Sequence, residues 1–141
     1  MLRQSLIHPP LLRALAAAGH GSRILLADAN YPVATAVAPR AEVVWLNLAP
    51  GLVDVLTLLD LLTVAIPVEA AAVMQPDDGQ QPEIFDGFAD RLPAGLALDR
   101  LGRSAFYDAA RSDDVALAVA TGEQRLFANL LLTVGVVPPR I

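Results

Sequence analysis

Short apolar runs alternate along the chain with stretches whose apolar positions recur at helical spacing, the signature of strands interleaved with helices. Leu11, Leu12 and Leu15, with Ala14 and Ala18, form the first apolar stripe; Pro9 or Pro10 suits the opening of that helix, and Gly19 is expected to close it as a left-handed cap. Ile24 to Ala27 is apolar without alternation and predicts a buried strand. Asn30 to Pro32 then reads as a turn, because Pro32 keeps Tyr31 out of helical geometry. Val33 to Pro39 is expected to be loop with a short helical piece at most. Ala41 to Leu46, carrying Val43, Val44 and Trp45, predicts a second strand.

Pro50 is expected to open a second helix reaching about Leu62. Its polar positions Asp54, Thr57 and Asp60 recur every third residue, so only a narrow strip would face water. Val68 to Met74 predicts a third strand, and Gln75 to Pro82, rich in Asp, Gly, Gln and Pro, a surface loop. Glu83 to Arg91 reads as a short helix with Ile84, Phe85 and Phe88 inward. Leu96 to Leu101 reads as a short strand, and Ser104 to Arg111 as a helix capped by Ser104. Val115 to Ala120 and Asn129 to Val137 supply the last two strands. The alternation gives an α/β fold: a single domain over residues 1–141, with a parallel or mixed sheet flanked by helices.

Composition changes this picture in one respect. A hydrophobic fraction of 55% is high for a small monomer, so part of the apolar surface is expected to be buried between subunits. Asp54, Asp60, Pro67 and Glu69 interrupt the most apolar region, which argues against a membrane span. The amino terminus lacks the apolar run of a secretory signal, so the cytoplasm is the expected compartment. With no cysteine and no lysine, thiolate metal sites, disulfides, cysteine nucleophiles and Schiff-base chemistry have no residue to carry them. A net charge of −5 with scattered arginines argues against nucleic acid as a partner.

The chemistry is expected around residues 18–32, AGHGSRILLADANYP. His20, between Gly19 and Gly21, is one of two histidines and is the candidate for proton transfer near neutral pH. Asp28 follows the buried strand at its carboxyl end, where open α/β sheets tend to place ligands. Each also has a structural reading: His20 as a helix-cap residue, Asp28 as the head of an Asx turn. His8, ahead of Pro9, is expected in solvent, and two separated histidines lack metal-ligand spacing. Arg103 reads as a surface charge before a helix, Asn129 as a turn residue, Phe106 and Tyr107 as core, and Thr121 to Glu123 as a tight structural turn.

Taken together, GHGS at 19–22, LLADANYP at 25–32, VEAAAVM at 68–74, RSAFYDAA at 103–110 and TGEQRLFANLLLTVGV at 121–136 resemble the ribose pyranase and L-fucose mutarotase family. Arg103 with Ala-Phe-Tyr at 105–107, and Thr-Gly-Glu later, resembles the fucose mutarotase branch more closely. The resemblance implies an isomerase that interconverts ring forms of a free monosaccharide without a cofactor or metal, assembled as a homo-oligomer of the ring-like decamer type. It implies His20 as the acid/base and Asp28, Arg103, Phe127, Ala128 and Asn129 as sugar-binding positions. Two departures stand out: Phe127 takes the place of a usual tyrosine, and Ser22 that of a common acidic residue. If residues 21–27 were all extended, His20 and Asp28 would lie about 25 Å apart at ~3.3 Å per residue. Either the glycines fold His20 back, or one site draws on two subunits.

Overall fold

A computed structural model describes all 141 residues. Four helices and six strands follow in the order α1 (Pro9–Ala17), β1 (Arg23–Ala27), β2 (Glu42–Trp45), α2 (Val55–Ala65), β3 (Val68–Met74), α3 (Ile84–Arg91), β4 (Leu98–Leu101), α4 (Arg103–Ala110), β5 (Val115–Ala120) and β6 (Leu130–Val134). The strands form one mixed sheet, ordered β2-β5-β1-β6-β3-β4. β1, β5 and β2 pair in parallel, as do β3 and β4, and β6 runs antiparallel between β1 and β3. The expected α/β class with a mixed sheet is therefore the observed one.

Both sheet faces are covered, which explains why the central strands read as apolar throughout rather than alternating. Ile24 and Leu26 of β1, Leu117 and Val119 of β5, and Leu130 and Leu132 of β6 point to the layer holding α1, α2 and α3. Leu25, Ala27, Ala118 and Leu131 point the other way, onto Phe106 and Ala110 of α4 and the segment carrying Tyr31, Val33, Ala36 and Ala38. That second layer is thin, a single helix and a loop. No helix is long and apolar enough to cross a membrane.

Several helix ends differ from expectation. α1 stops at Ala17 with Ala18 extended at φ −78°, so Gly19 is not its left-handed cap; the positive φ falls at Gly21, at 82°. His8 is the N-cap of α1, its Nδ1 accepting the Leu11 N–H at 3.4 Å, rather than a free solvent-exposed ring. Pro50 does not open α2. Asp54 caps it, accepting the Thr57 N–H at 2.7 Å, and residues 49–53 form a separate turn with Val53 at φ 54°. α4 begins at Arg103 with Gly102 ahead of it, one residue before the expected Ser104 cap.

Candidate functional site

The carboxyl ends of β1 and β3 and the amino end of β6 meet at a recess of about 140 Å³, lined by Asp28, Asn30, Tyr31, Met74, Arg103, Tyr107, Leu126, Phe127 and Asn129. Asp28 is its most constrained member. The strand delivers it buried, and the chain then turns, so the N–H groups of Asn30 and Tyr31 donate to its Oδ1 at 3.0 and 2.9 Å. Asn129, just ahead of β6, closes a reciprocal pair: its Oδ1 accepts the Asp28 N–H at 2.8 Å and its Nδ2 donates to Asp28 Oδ2 at 3.1 Å. Burial pushes the Asp28 carboxyl above its usual range, against the pull of the donors from Asn30, Tyr31, Ala128 and Asn129. The Asx turn read from sequence and the candidate ligand group are thus one and the same carboxylate.

The opposite wall is aromatic. Arg103 and Tyr107, one helical turn apart on α4, share a face, with the guanidinium 5.7 Å from the ring centroid. Tyr107 stacks on Tyr31 with ring centroids 5.2 Å apart. The Tyr31 hydroxyl is committed to the Ala36 carbonyl at 2.7 Å, and burial raises its pKa well above the ordinary phenol value. Phe127 lines the recess from a backbone with φ 58°, a left-handed conformation unusual for an aromatic residue. Ala128 lies fully buried beneath, its N–H turned to Asp28.

A clamp behind the recess holds that backbone in place. Glu123 is buried; it accepts the Val55 N–H at 3.2 Å, and Arg125 donates to it from Nε at 2.8 Å and from Nη2 at 2.7 Å. Burial alone would raise the Glu123 pKa, but the hydrogen bonds from Arg125 and Val55 outweigh it and hold the carboxyl below its ordinary range. Thr121 donates from Oγ1 to the Ala27 carbonyl at 2.7 Å, and the Ala29 N–H donates to the Glu123 carbonyl at 2.8 Å. A Cβ on Gly122 would fall 2.2 Å from the Leu52 carbonyl oxygen, so only glycine lets the two turns meet.

His20 is not in this recess. The five residues of β1 separate the two ends of the strand by about 16 Å at ~3.3 Å per residue. The glycines do not fold His20 back over that length. Instead the Gly21 N–H donates to the Val134 carbonyl at 2.9 Å, and the His20 ring sits at the opposite end of the sheet, Nε2 3.0 Å from both carboxylate oxygens of Glu69.

The model of the RbsD / FucU transport protein family matches residues 1–137. A fucose mutarotase from Danio rerio is 34% identical over 148 residues, covering 96% of this chain and 92% of the relative. A D-ribose pyranase from Paracidovorax citrulli is 33% identical, covering 96% and 98%. The crystal structure of the fucose mutarotase in complex with L-fucose from Streptococcus pneumoniae superposes with a TM-score of 0.79 at 30% identity, covering 94% of this chain and 95% of that one. The chain belongs to the RbsD/FucU family.

In this RbsD/FucU member the recess has walls that sequence reasoning passed over. Tyr31, Met74, Leu126 and Tyr107 all line it, and Tyr107 is partly buried against the core while also forming this wall. The signal for Tyr107 was present: an arginine and a tyrosine four apart on one short helix share a face. No three histidine or acidic side chains lie together as a metal site would require. A larger recess of about 330 Å³ between α1 and α2, lined by Leu12, Leu15, Leu61 and Val64 among others, carries no titratable group.

Proposed function

We propose that this RbsD/FucU member interconverts the anomers of a free monosaccharide such as L-fucose, without a cofactor, with His20 of one copy completing the recess of a neighbouring copy. The enzyme class, an isomerase of the mutarotase kind, follows from 34% identity to a fucose mutarotase over nearly the whole chain. The observation that carries the reading is the recess itself, in which an acceptor carboxylate, an amide and a guanidinium converge beside aromatic faces. Sugar hydroxyls need directional donors and acceptors, and the apolar face of a pyranose stacks on aromatic rings.

Mutarotation opens a cyclic hemiacetal. One group takes the anomeric hydroxyl proton while the ring oxygen gains one, and reclosure on the other face of the carbonyl reverses both transfers. No atom is lost or gained. An imidazole suits both transfers near neutral pH. Asp28, Asn129 and Arg103 orient the hydroxyls, Phe127 offers a stacking face, and the buried Ala128 acts through its backbone. A recess of about 140 Å³, well under the ~300 Å³ common for ligand pockets, is consistent with a further wall from a second subunit. Exposed Trp45, Leu48, Leu126 and Val64 are consistent with apolar subunit contacts in a homo-oligomer, a decamer being the form the family resemblance suggests.

Saturation-transfer NMR of α- and β-L-fucose tests the assignment. The protein is expected to accelerate exchange, and His20→Ala to remove about 10²–10⁴-fold of that acceleration. An unchanged rate in the variant rules out the acid/base role of His20. D-ribose is the second sugar to try, since a D-ribose pyranase is 33% identical. Phe127, which brings no hydroxyl to the recess, favours a second reading as a sugar-binding relative that does not catalyse; fucose binding without accelerated exchange would establish it.

A further inference from the structure

We infer that Glu69 is the positioning residue for His20: it holds Nε2–H and thereby leaves Nδ1 as the nitrogen that takes and returns the substrate proton. The inference rests on the assignment of His20 as the acid/base. An ionised carboxylate has lone pairs and no hydrogen, so a ring nitrogen 3.0 Å from both of its oxygens must be the donor. Nε2 therefore carries hydrogen in the neutral and in the protonated ring alike, and the proton that comes and goes is on Nδ1.

Two features of the backbone aim Glu69 at this task. β3 pairs with β6 as Val68↔Val134 and then Ala70↔Thr133, so one residue of β3 is left without a partner: a β-bulge at Glu69. A bulge re-aims the side chain of its extra residue, and here the carboxylate turns out of the ladder toward the loop that carries His20. The side chain also lies across Gly135, where an added Cβ would come 3.3 Å from Glu69 Cβ and 3.6 Å from Oε2. The bare backbone at Gly135 leaves room for the Glu69 Cβ, and the carboxylate lies at ordinary contact distance from it. The other acids near this end have partners of their own: Asp114 is engaged by Arg23 at 3.5 Å and by the Ser112 hydroxyl, Asp113 by Arg40 at 3.5 Å and Glu42 by Arg13, and Ser22 brings no carboxylate. Glu69 alone is bound to the ring.

Being exposed, the pair adds little to stability, and its effect is expected on the imidazole rather than on the fold. The step itself is balanced: Nδ1 accepts the anomeric hydroxyl proton, the ring carbon–oxygen bond opens, and the same proton returns to the ring oxygen, while Glu69 keeps its hydrogen bond and changes no charge.

Ring-nitrogen NMR of His20 combined with anomer exchange tests this. The wild-type neutral ring is expected to be the Nε2–H tautomer. Glu69→Ala is expected to give a tautomer mixture and to lower kcat about 10- to 100-fold, part of the whole histidine effect, with KM little changed. Glu69→Gln, whose amide oxygen also accepts from Nε2–H, is expected to keep the tautomer and most of the rate. Gly135→Ala, whose Cβ would press on Glu69 Cβ at 3.3 Å while meeting Oε2 at an ordinary 3.6 Å, is expected to move both readouts only slightly in the direction of Glu69→Ala. An Nδ1–H tautomer in the wild type, or a Glu69→Ala protein with unchanged tautomer or unchanged kcat, overturns the inference. Inactive wild type, or a His20→Ala variant as active as wild type, instead removes the reading on which it rests.

Discussion

At the carboxyl end of β1, Asp28 is 4% exposed and its carboxylate receives the N–H groups of Asn30, Tyr31 and Ala128 and the Asn129 amide; at the amino end, the His20 side chain is 59% exposed and hydrogen-bonded to Glu69. The first end is a rigid frame of hydrogen bonds fixed before any ligand arrives, which suits the orientation of hydroxyl groups. The second presents an imidazole to its surroundings, which suits proton exchange, but His20 lines none of the recesses of the chain. Each end has what the other lacks. On the proposed function a single chain carries its two groups at opposite ends of β1, and a closed symmetric assembly is the arrangement that would bring unlike ends together.

The sharpest way to break that comparison is to mix subunits. His20→Ala chains are expected to lose the proposed acid/base ring, and Asp28→Asn chains to lose tens-fold in kcat/KM by setting a second NH2 group against Asn129 Nδ2. If each site takes its histidine from one copy and its recess from another, co-expressing the two variants restores wild-type sites at random in about a quarter of positions. Exchange measured on the mixed oligomer would then far exceed that of either variant alone. A mixture no faster than its two components would mean that both groups act within one chain, contrary to the separation along β1.

The rigidity of the carboxyl end is open to a test of intermediate size. Glu123→Gln weakens two charge-assisted hydrogen bonds from Arg125 beside the recess, and is expected to cost about 2 kcal/mol at pH 7, a fall in Tm of roughly 5–10 °C. The sign of the pH dependence follows from the lowered pKa of Glu123. Its contribution is fully present above the ordinary carboxylate value near 4.5, and is lost as pH falls through the lower value of the folded state. Thermal melts of the two proteins should therefore differ most at neutral pH and converge in acid. The Glu69 end, exposed and outside this clamp, should be indifferent to the change.

Where the sequence spoke clearly, packing agreed with local pattern. The central strands β1 and β5 and the helix α3 lie within a residue or so of where their apolar runs placed them, because buried runs bounded by polar turns have few alternatives. The boundaries that moved, at Gly19, Pro50 and Ser104, depended on which of several capping residues tertiary contacts would favour. Asp54 won over Pro50 because residues 49–53 are tied to the Gly122 turn, a contact 70 residues away in the chain. The recess was half legible. Asp28 and Asn129 stand at strand ends and carried turn signals, and Tyr107 shares a helix face with Arg103, whereas Met74 joins the recess only through the β3/β6/β1 order, which no local pattern encodes. The partnership of His20 and Glu69 was equally hidden, since it needs a bulge in a long-range pairing.

The smallest effects belong to the phenol groups of the recess. Phe127 has no hydroxyl, and that of Tyr31 is committed to Ala36, so Tyr107 brings the one phenol oxygen not already bound within the chain. A neutral hydrogen bond contributes about 0.5–1.5 kcal/mol, or roughly 2- to 12-fold in an equilibrium. If Tyr107 supplies a hydroxyl to the sugar, Tyr107→Phe should weaken fucose binding by a factor in that range while its stack on Tyr31 survives. Phe127→Tyr, made at a half-buried ring that already faces the recess, should recover a similar factor in the double variant. Titration of the four proteins with L-fucose decides the matter. Equal affinities throughout would show that recognition at the carboxyl end of β1 rests on Asp28, Asn129 and Arg103 alone.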